Sequence, residues 1–176
     1  IVAFPTGTSY GLGVNCLDLR ALERLRVLKR RAMDKPFTVL LPSRNPDQFV
    51  TWTPVEEATF SAFRNRPLTL LVKTKSALKH LATEGRVGVR TPDHPFTRSL
   101  MDVAPFPVTA TSANVADQPA ACSPIEVELL AGSGRLYVVE GGTLPRCAPS
   151  TIAVRMGNAW QIVRKGEISL NDLTEA

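Results

Sequence analysis

Long apolar runs are missing from these 176 residues; none approaches the roughly 18 needed for a helix to cross a bilayer. Cysteine is scarce too. Cys16, Cys122 and Cys147 lie far apart and form no C-x-x-C pair, which argues against a disulfide framework or a cysteine zinc site and for a reducing cytosol. His80 and His94 do not stand at metal-ligand spacing. With no G-x-S-x-G elbow and no Cys/His arrangement, covalent catalysis by a protein nucleophile has no candidate. Aromatic residues are few, two Trp and two Tyr among them, and they do not interleave with basic ones as in a single-strand nucleic-acid platform. Residues 1–4 are too short for a secretory core, and no basic segment precedes them. Internal repeats and low-complexity segments are absent as well.

What is present is ordinary for a folded soluble domain: 44% hydrophobic and 21% charged residues. The length fits one domain over 1–176 with a single sizeable core. The lack of a starting Met, with a strand opening at residue 1, suggests numbering from inside a longer chain. The net charge of +5 suits nucleotides, phosphates or RNA, and equally an ordinary solvated surface.

Hydrophobic patterning outlines the elements. Asp18 caps a helix running to about Arg30, with Leu22, Leu25 and Leu28 on one face. Its end carries Lys29, Arg30 and Arg31, which complement the helix dipole. Residues 37–41 and 68–72 read as strands, the second an unbroken apolar run and hence buried. Pro54, followed by Glu56 and Glu57, opens a helix to about Phe63. Residues 87–91 and 108–111 are strands on either side of a helix over 96–103. Ser123 and Glu126 form a capping-box pattern for a helix to about Leu130. Residues 136–140, 151–155 and 160–163 are strands, the last two joined at Gly157-Asn158 as a hairpin. Strands alternate with helices, then dominate. The expected class is α/β, with one open, twisted, mixed β-sheet flanked by helices.

The opening segment carries the first chemical signal. A short apolar strand empties into Pro5-Thr6-Gly7-Thr8-Ser9-Tyr10-Gly11-Leu12-Gly13, where open α/β folds place their ligands. The glycines allow positive φ and close backbone approach. Their spacing fits neither the Rossmann nor the Walker pattern, so alone the segment reads as an ordinary strand-to-loop turn. It is followed by Lys29-Arg30-Arg31 leading to Lys35-Pro36, by Val87-Gly88-Val89-Arg90-Thr91-Pro92-Asp93-His94, by Thr111-Ser112-Ala113-Asn114, by Ser150-Thr151-Ile152 and by Val163-Arg164-Lys165-Gly166. In this order and spacing the set resembles the YrdC/TsaC family of threonylcarbamoyl-adenylate synthases, from Ile1 to about Ile168.

The resemblance implies a YrdC-like fold and a reaction of L-threonine, bicarbonate and ATP. The amine becomes a carbamate, whose oxygen attacks the α-phosphorus and expels pyrophosphate. Mg²⁺ would be carried by the ATP. Such chemistry needs positioning and positive charge, not a protein nucleophile. By the resemblance, ATP is held by Lys29, Arg31, Lys35, Ser112, Asn114 and Arg164. Lys29 and Arg31 are expected to face solvent and fan from the helix end toward one ligand. Threonine is held by Thr6, Arg90 and Ser150, with Arg90 a natural two-point fit for the carboxylate; the bland alternative for Arg90 is an internal acidic partner. His94 reads as a helix-start or packing residue and His80 as exposed.

The product would serve the threonylcarbamoyl modification of adenosine 37 in tRNA through a separate transferase in the cytoplasm, with tRNA or double-stranded RNA a further partner. Gly7 stands where the family pattern has Asp or Glu, and Leu40, Asn65-Arg66, Ala120, Lys165 and the short loop 140–149 also depart from it. Two other readings stay open. One is a paralogue using another amine or carbamoyl donor, like the YrdC-like domain of hydrogenase-maturation carbamoyltransferases. The other is a non-catalytic module binding double-stranded RNA.

Overall fold

A computed structural model describes residues 1–132 and 136–175. Strand β1 (Val2–Pro5) turns at residues 6–9 and returns antiparallel as β2 (Tyr10–Gly13). The return strand was not expected from the glycine-rich sequence. None of Gly7, Gly11 and Gly13 has positive φ. Gly11 and Gly13 lie beside the Phe4 ring, where a Cβ at Gly13 would come within 2.5 Å of that ring. They are there for thinness, not for backbone freedom.

Helix α1 (Leu19–Lys29) is capped by Asp18, which accepts from Arg20 and Ala21 N–H, and it ends at Arg30 in the left-handed region at φ 47°. The strand expected over 37–41 contracts to β3 (Val39–Leu40). Strand β4 (Val50–Thr51) and helix α2 (Pro54–Ala62) follow, the latter closed by the Thr53–Glu56 capping box. Strand β5 (Leu68–Thr74) buries Leu68, Leu70 and Val72 completely, each worth about 1.5–3 kcal/mol over exposure. Then come β6 (Arg86–Arg90) and helix α3 (Pro95–Val103). His94 caps α3, its Nδ1 accepting from Phe96 N–H, in keeping with the helix-start reading.

The single strand expected over 108–111 is two: β7 (Val108–Thr109) and β8 (Thr111–Ser112). They belong to different sheets. Helix α4 (Pro124–Ala131), strands β9 (Tyr137–Val138), β10 (Thr151–Met156) and β11 (Ala159–Arg164), and helix α5 (Leu170–Thr174) complete the chain. Half of the Ser123 capping box forms, since Glu126 reaches the N–H of Cys122 instead of Ser123. The β10–β11 hairpin turns at Gly157, φ 58°.

Two mixed sheets therefore replace the one expected. The larger runs β11-β10-β5-β6-β3-β7, with β4 on β5, and the smaller β8-β2-β1-β9. Residues 108–112 pass from one to the other, so the Ser-Ala-Asn turn that follows sits at their junction. No helix among the described residues is long and apolar enough to cross a membrane.

Candidate functional site

A cavity of ≈ 1060 Å³ opens at this junction. Its walls come from the 6–9 turn, the loop after α1, one face of β6, the 110–122 segment, the 146–150 segment, and strands β10 and β11.

Lys29 and Arg31 part company at the helix end. Lys29 continues the stripe of Ala21 and Leu25, four residues apart, and is 1% exposed. Its Nζ donates to Ser112 O at 2.5 Å, Asn114 O at 2.9 Å and Asn114 Oδ1 at 2.9 Å. Lys29 is thus not solvent-facing as expected and does not line the cavity; it bolts α1 to the Ser-Ala-Asn turn. Burial and then the Arg31 charge lower its pKa to about 7, while the three oxygens around it favour the charged form. The left-handed Arg30 swings Arg31 onto the cavity wall. There Arg31 donates from Nε to Lys35 O (3.2 Å) and from Nη2 to Pro36 O (2.8 Å), and lies over the Phe37 ring at 5.3 Å. Burial and the neighbouring Arg26 hold its pKa below the ordinary value, against Asp117. Lys35 also lines the cavity, in an exposed pair with Asp117 at 3.8 Å.

Ser112 and Asn114 both face the cavity. Asn114 Oδ1 accepts from Ser112 Oγ at 2.6 Å, and its Nδ2 donates to Gln118 O at 2.6 Å, so the turn is braced by its own side chains. On the opposite wall Arg164 donates from Nε and Nη2 to Ser150 O at 3.2 and 2.8 Å, and from Nη2 to Ser150 Oγ at 3.0 Å. Ser150 is buried against Thr69 Oγ1 and still borders the cavity. Burial, then Arg90 and Arg31, lower the pKa of Arg164: three guanidinium groups converge on one space.

Arg90 is 8% exposed at the far end. Its Nη2 donates to Asp93 Oδ2 at 2.7 Å, Thr8 Oγ1 at 3.0 Å and Thr6 Oγ1 at 3.3 Å. The internal acidic partner is therefore present. A two-point grip on a ligand carboxylate would draw on Nη2, which here faces Asp93, Thr8 and Thr6. Thr6 sits one layer back. Its hydroxyl donates to Ser9 O at 2.7 Å and accepts from the N–H groups of Thr8 and Ser9, and it lies behind the cavity wall while Thr8 and Ser9 form it. A polar residue two positions on in the same turn was the signal available for Thr8.

Arg86 and Arg146 also line the cavity and were not foreseen. Arg86 lies four residues before Arg90 on the same strand face, a spacing visible in the sequence. Arg146 is fixed by Glu126 at 2.7 Å across the fold, for which no local pattern exists. Among the described residues no three His, Cys, Asp or Glu side chains gather into a metal site.

The profile of the Sua5/YciO/YrdC family, described as "Telomere recombination", matches residues 1–166. A protein of Haemophilus influenzae named threonylcarbamoyl-AMP synthase is 32% identical over 76% of this chain and 76% of its own length. One of the same name from Bacillus subtilis is 32% identical over 96% of this chain, which spans 50% of that protein. The crystal structure of Pyrococcus abyssi Sua5 complexed with L-threonine superposes with a TM-score of 0.82 at 28% identity, covering 99% of this chain and 52% of that one. The chain thus spans about half the length of the Bacillus and Pyrococcus relatives.

Proposed function

This chain belongs to the Sua5/YciO/YrdC family, and we propose that it makes L-threonylcarbamoyladenylate and pyrophosphate from L-threonine, bicarbonate and MgATP. The observation that carries this reading is the convergence of Arg31, Arg90 and Arg164 on one cavity with hydroxyl walls. A family whose named members include threonylcarbamoyl-AMP synthases supports it.

In this reading the threonine amine and bicarbonate condense to a carbamate with loss of water. A carbamate oxygen then displaces pyrophosphate from the α-phosphorus. Arg31, Lys35 and Arg164 offset charge on the triphosphate, and Ser112 and Asn114 fix its position. Arg guanidinium groups suit this because their planar donors match phosphate oxygens. Lys29 acts through the turn it holds. Arg90, Thr8 and Ser150 receive the amino acid, with Thr6 buttressing Thr8 and Arg90. Mg²⁺ enters as part of the nucleotide. The product would pass to a separate transferase for adenosine 37 of tRNA in the cytoplasm, with contact to the RNA itself a further element of the proposal.

The test is mass spectrometry of the product from ATP, bicarbonate and labelled threonine. A threonylcarbamoyl-AMP mass dependent on all three is expected. The side-chain methyl of threonine is worth about 1–3 kcal/mol in a pocket, so serine should run roughly ten- to a few-hundredfold lower in kcat/KM. Equal use of serine and threonine, or pyrophosphate release with neither, would point to another amine.

A further inference from the structure

The Asp93 carboxylate is 1% exposed and lies against the turn that opens the fold. Its Oδ1 accepts from Gly7 N–H at 3.1 Å, and its Oδ2 from Arg90 Nη2 at 2.7 Å. A Cβ on Gly7 would come within 2.7 Å of Asp93 Oδ2 and 2.8 Å of its Cγ. Position 7 is bare because the side chain of residue 93 fills its space. Only a carboxylate accepts from both N–H groups at once; an amide would turn a donor toward one of them.

The consequence falls on Arg90. With Nη2 turned to Asp93, Thr8 and Thr6, the guanidinium cannot rotate. Its Nε is buried without a partner, its Nη1 makes no hydrogen bond among the described residues, and Arg90 is one of the residues that line the cavity. A buried charged donor left unmet is costly unless an acceptor arrives. We propose that Asp93 is a positioning residue for the amino-acid end of the cavity: it neutralises Arg90, turns Nη2 to the wall and leaves Nη1 as the single contact for the substrate carboxylate, with bare Gly7 as the other half of the device. This rests on the reading of the cavity given above.

The experiment compares Asp93→Asn, Asp93→Gly, Gly7→Asp and the double variant Gly7→Asp/Asp93→Gly. Each is assayed for threonine KM, kcat and ATP KM, with thermal melting alongside. Asp93→Asn should raise threonine KM about tenfold with kcat changed far less, the mark of lost ground-state binding. Its ATP KM should hold. Gly7→Asp alone should lower both melting temperature and activity, because two carboxylates meet in one space. The double variant should recover most of the threonine KM and the melting temperature, a non-additivity expected only of groups that share a site. Additive losses, or an unchanged KM in Asp93→Asn, would overturn the inference while leaving the function intact. A wild-type chain that uses no threonine would overturn the functional reading itself, and with it the substrate named here.

Discussion

The two ends of the cavity hold their cations in opposite ways. Beside α1, Arg31 on the wall and Lys29 buried behind it are fixed by backbone carbonyls and an amide oxygen, which orient a cation without cancelling it. Beside β6, Arg90 is fixed by the Asp93 carboxylate, which orients and neutralises together. The first arrangement leaves net positive charge for a polyanion such as a triphosphate. The second leaves hydrogen-bond donors with little net charge, which suits a zwitterionic amino acid. Geometry alone, guanidinium beside cavity, would not distinguish them; the partner's charge does.

The largest test of this contrast is Lys29→Ala. It opens a cavity in the core and strips three oxygens of their donor, so a loss of about 2–5 kcal/mol of stability is expected in denaturant unfolding. ATP binding should fall with it, through the displaced Ser-Ala-Asn turn. A stable Lys29→Ala protein that merely binds ATP weakly would return Lys29 to a direct phosphate role. The pH dependence has a definite sign. With a folded pKa of about 7 against the ordinary lysine value of 10.5, the unfolded chain holds more protons between those values. Stability should therefore rise with pH across that window, and below it the cost of burying the charge is complete. Lys29→Met should flatten that slope.

Next in size is Arg31→Ala, which should weaken ATP binding about ten- to hundredfold, the worth of roughly 1.5–3 kcal/mol for a charge-assisted contact, with little change in melting. Its ATP affinity should also be the more salt-sensitive quantity, since the charge at that end is not neutralised. Equal salt sensitivity of ATP and threonine binding would erase the contrast. Arg90→Lys keeps the ion pair with Asp93 but loses the planar donor set. Threonine KM should rise about tenfold, while ATP binding is unmoved. An unchanged threonine KM would make Arg90 a purely structural member of its pair. Smallest is Asp117→Ala, which breaks the exposed Lys35 pair at 3.8 Å. Exposed pairs contribute about 0–1 kcal/mol, so its melting temperature should match wild type, and calorimetry should find ATP affinity equal or slightly higher.

Much of this was legible from local pattern. The Asp18 cap, the Pro54 helix start with Glu56 and Glu57, the buried 68–72 run and the Gly157 hairpin are decided by neighbours a few residues away. The spacing of Lys29 and Arg31 was misleading because a single left-handed residue between them reverses their directions. The continuation of Ala21 and Leu25 to Lys29 was nevertheless visible as a four-residue stripe pointing inward.

By itself, the sequence determined α1 to α4, most strands, the α/β class and the positions that could carry charge, because caps, glycines and hydrophobic periods act over one or two turns. Tertiary structure alone decided that residues 108–112 join two sheets, that Glu126 fixes Arg146, that Thr8 rather than Thr6 meets the cavity, and that Asp93 fills the space beside Gly7. Those outcomes depend on which atoms occupy the same few cubic ångströms after distant segments meet, and neither charge nor periodicity along the chain encodes that.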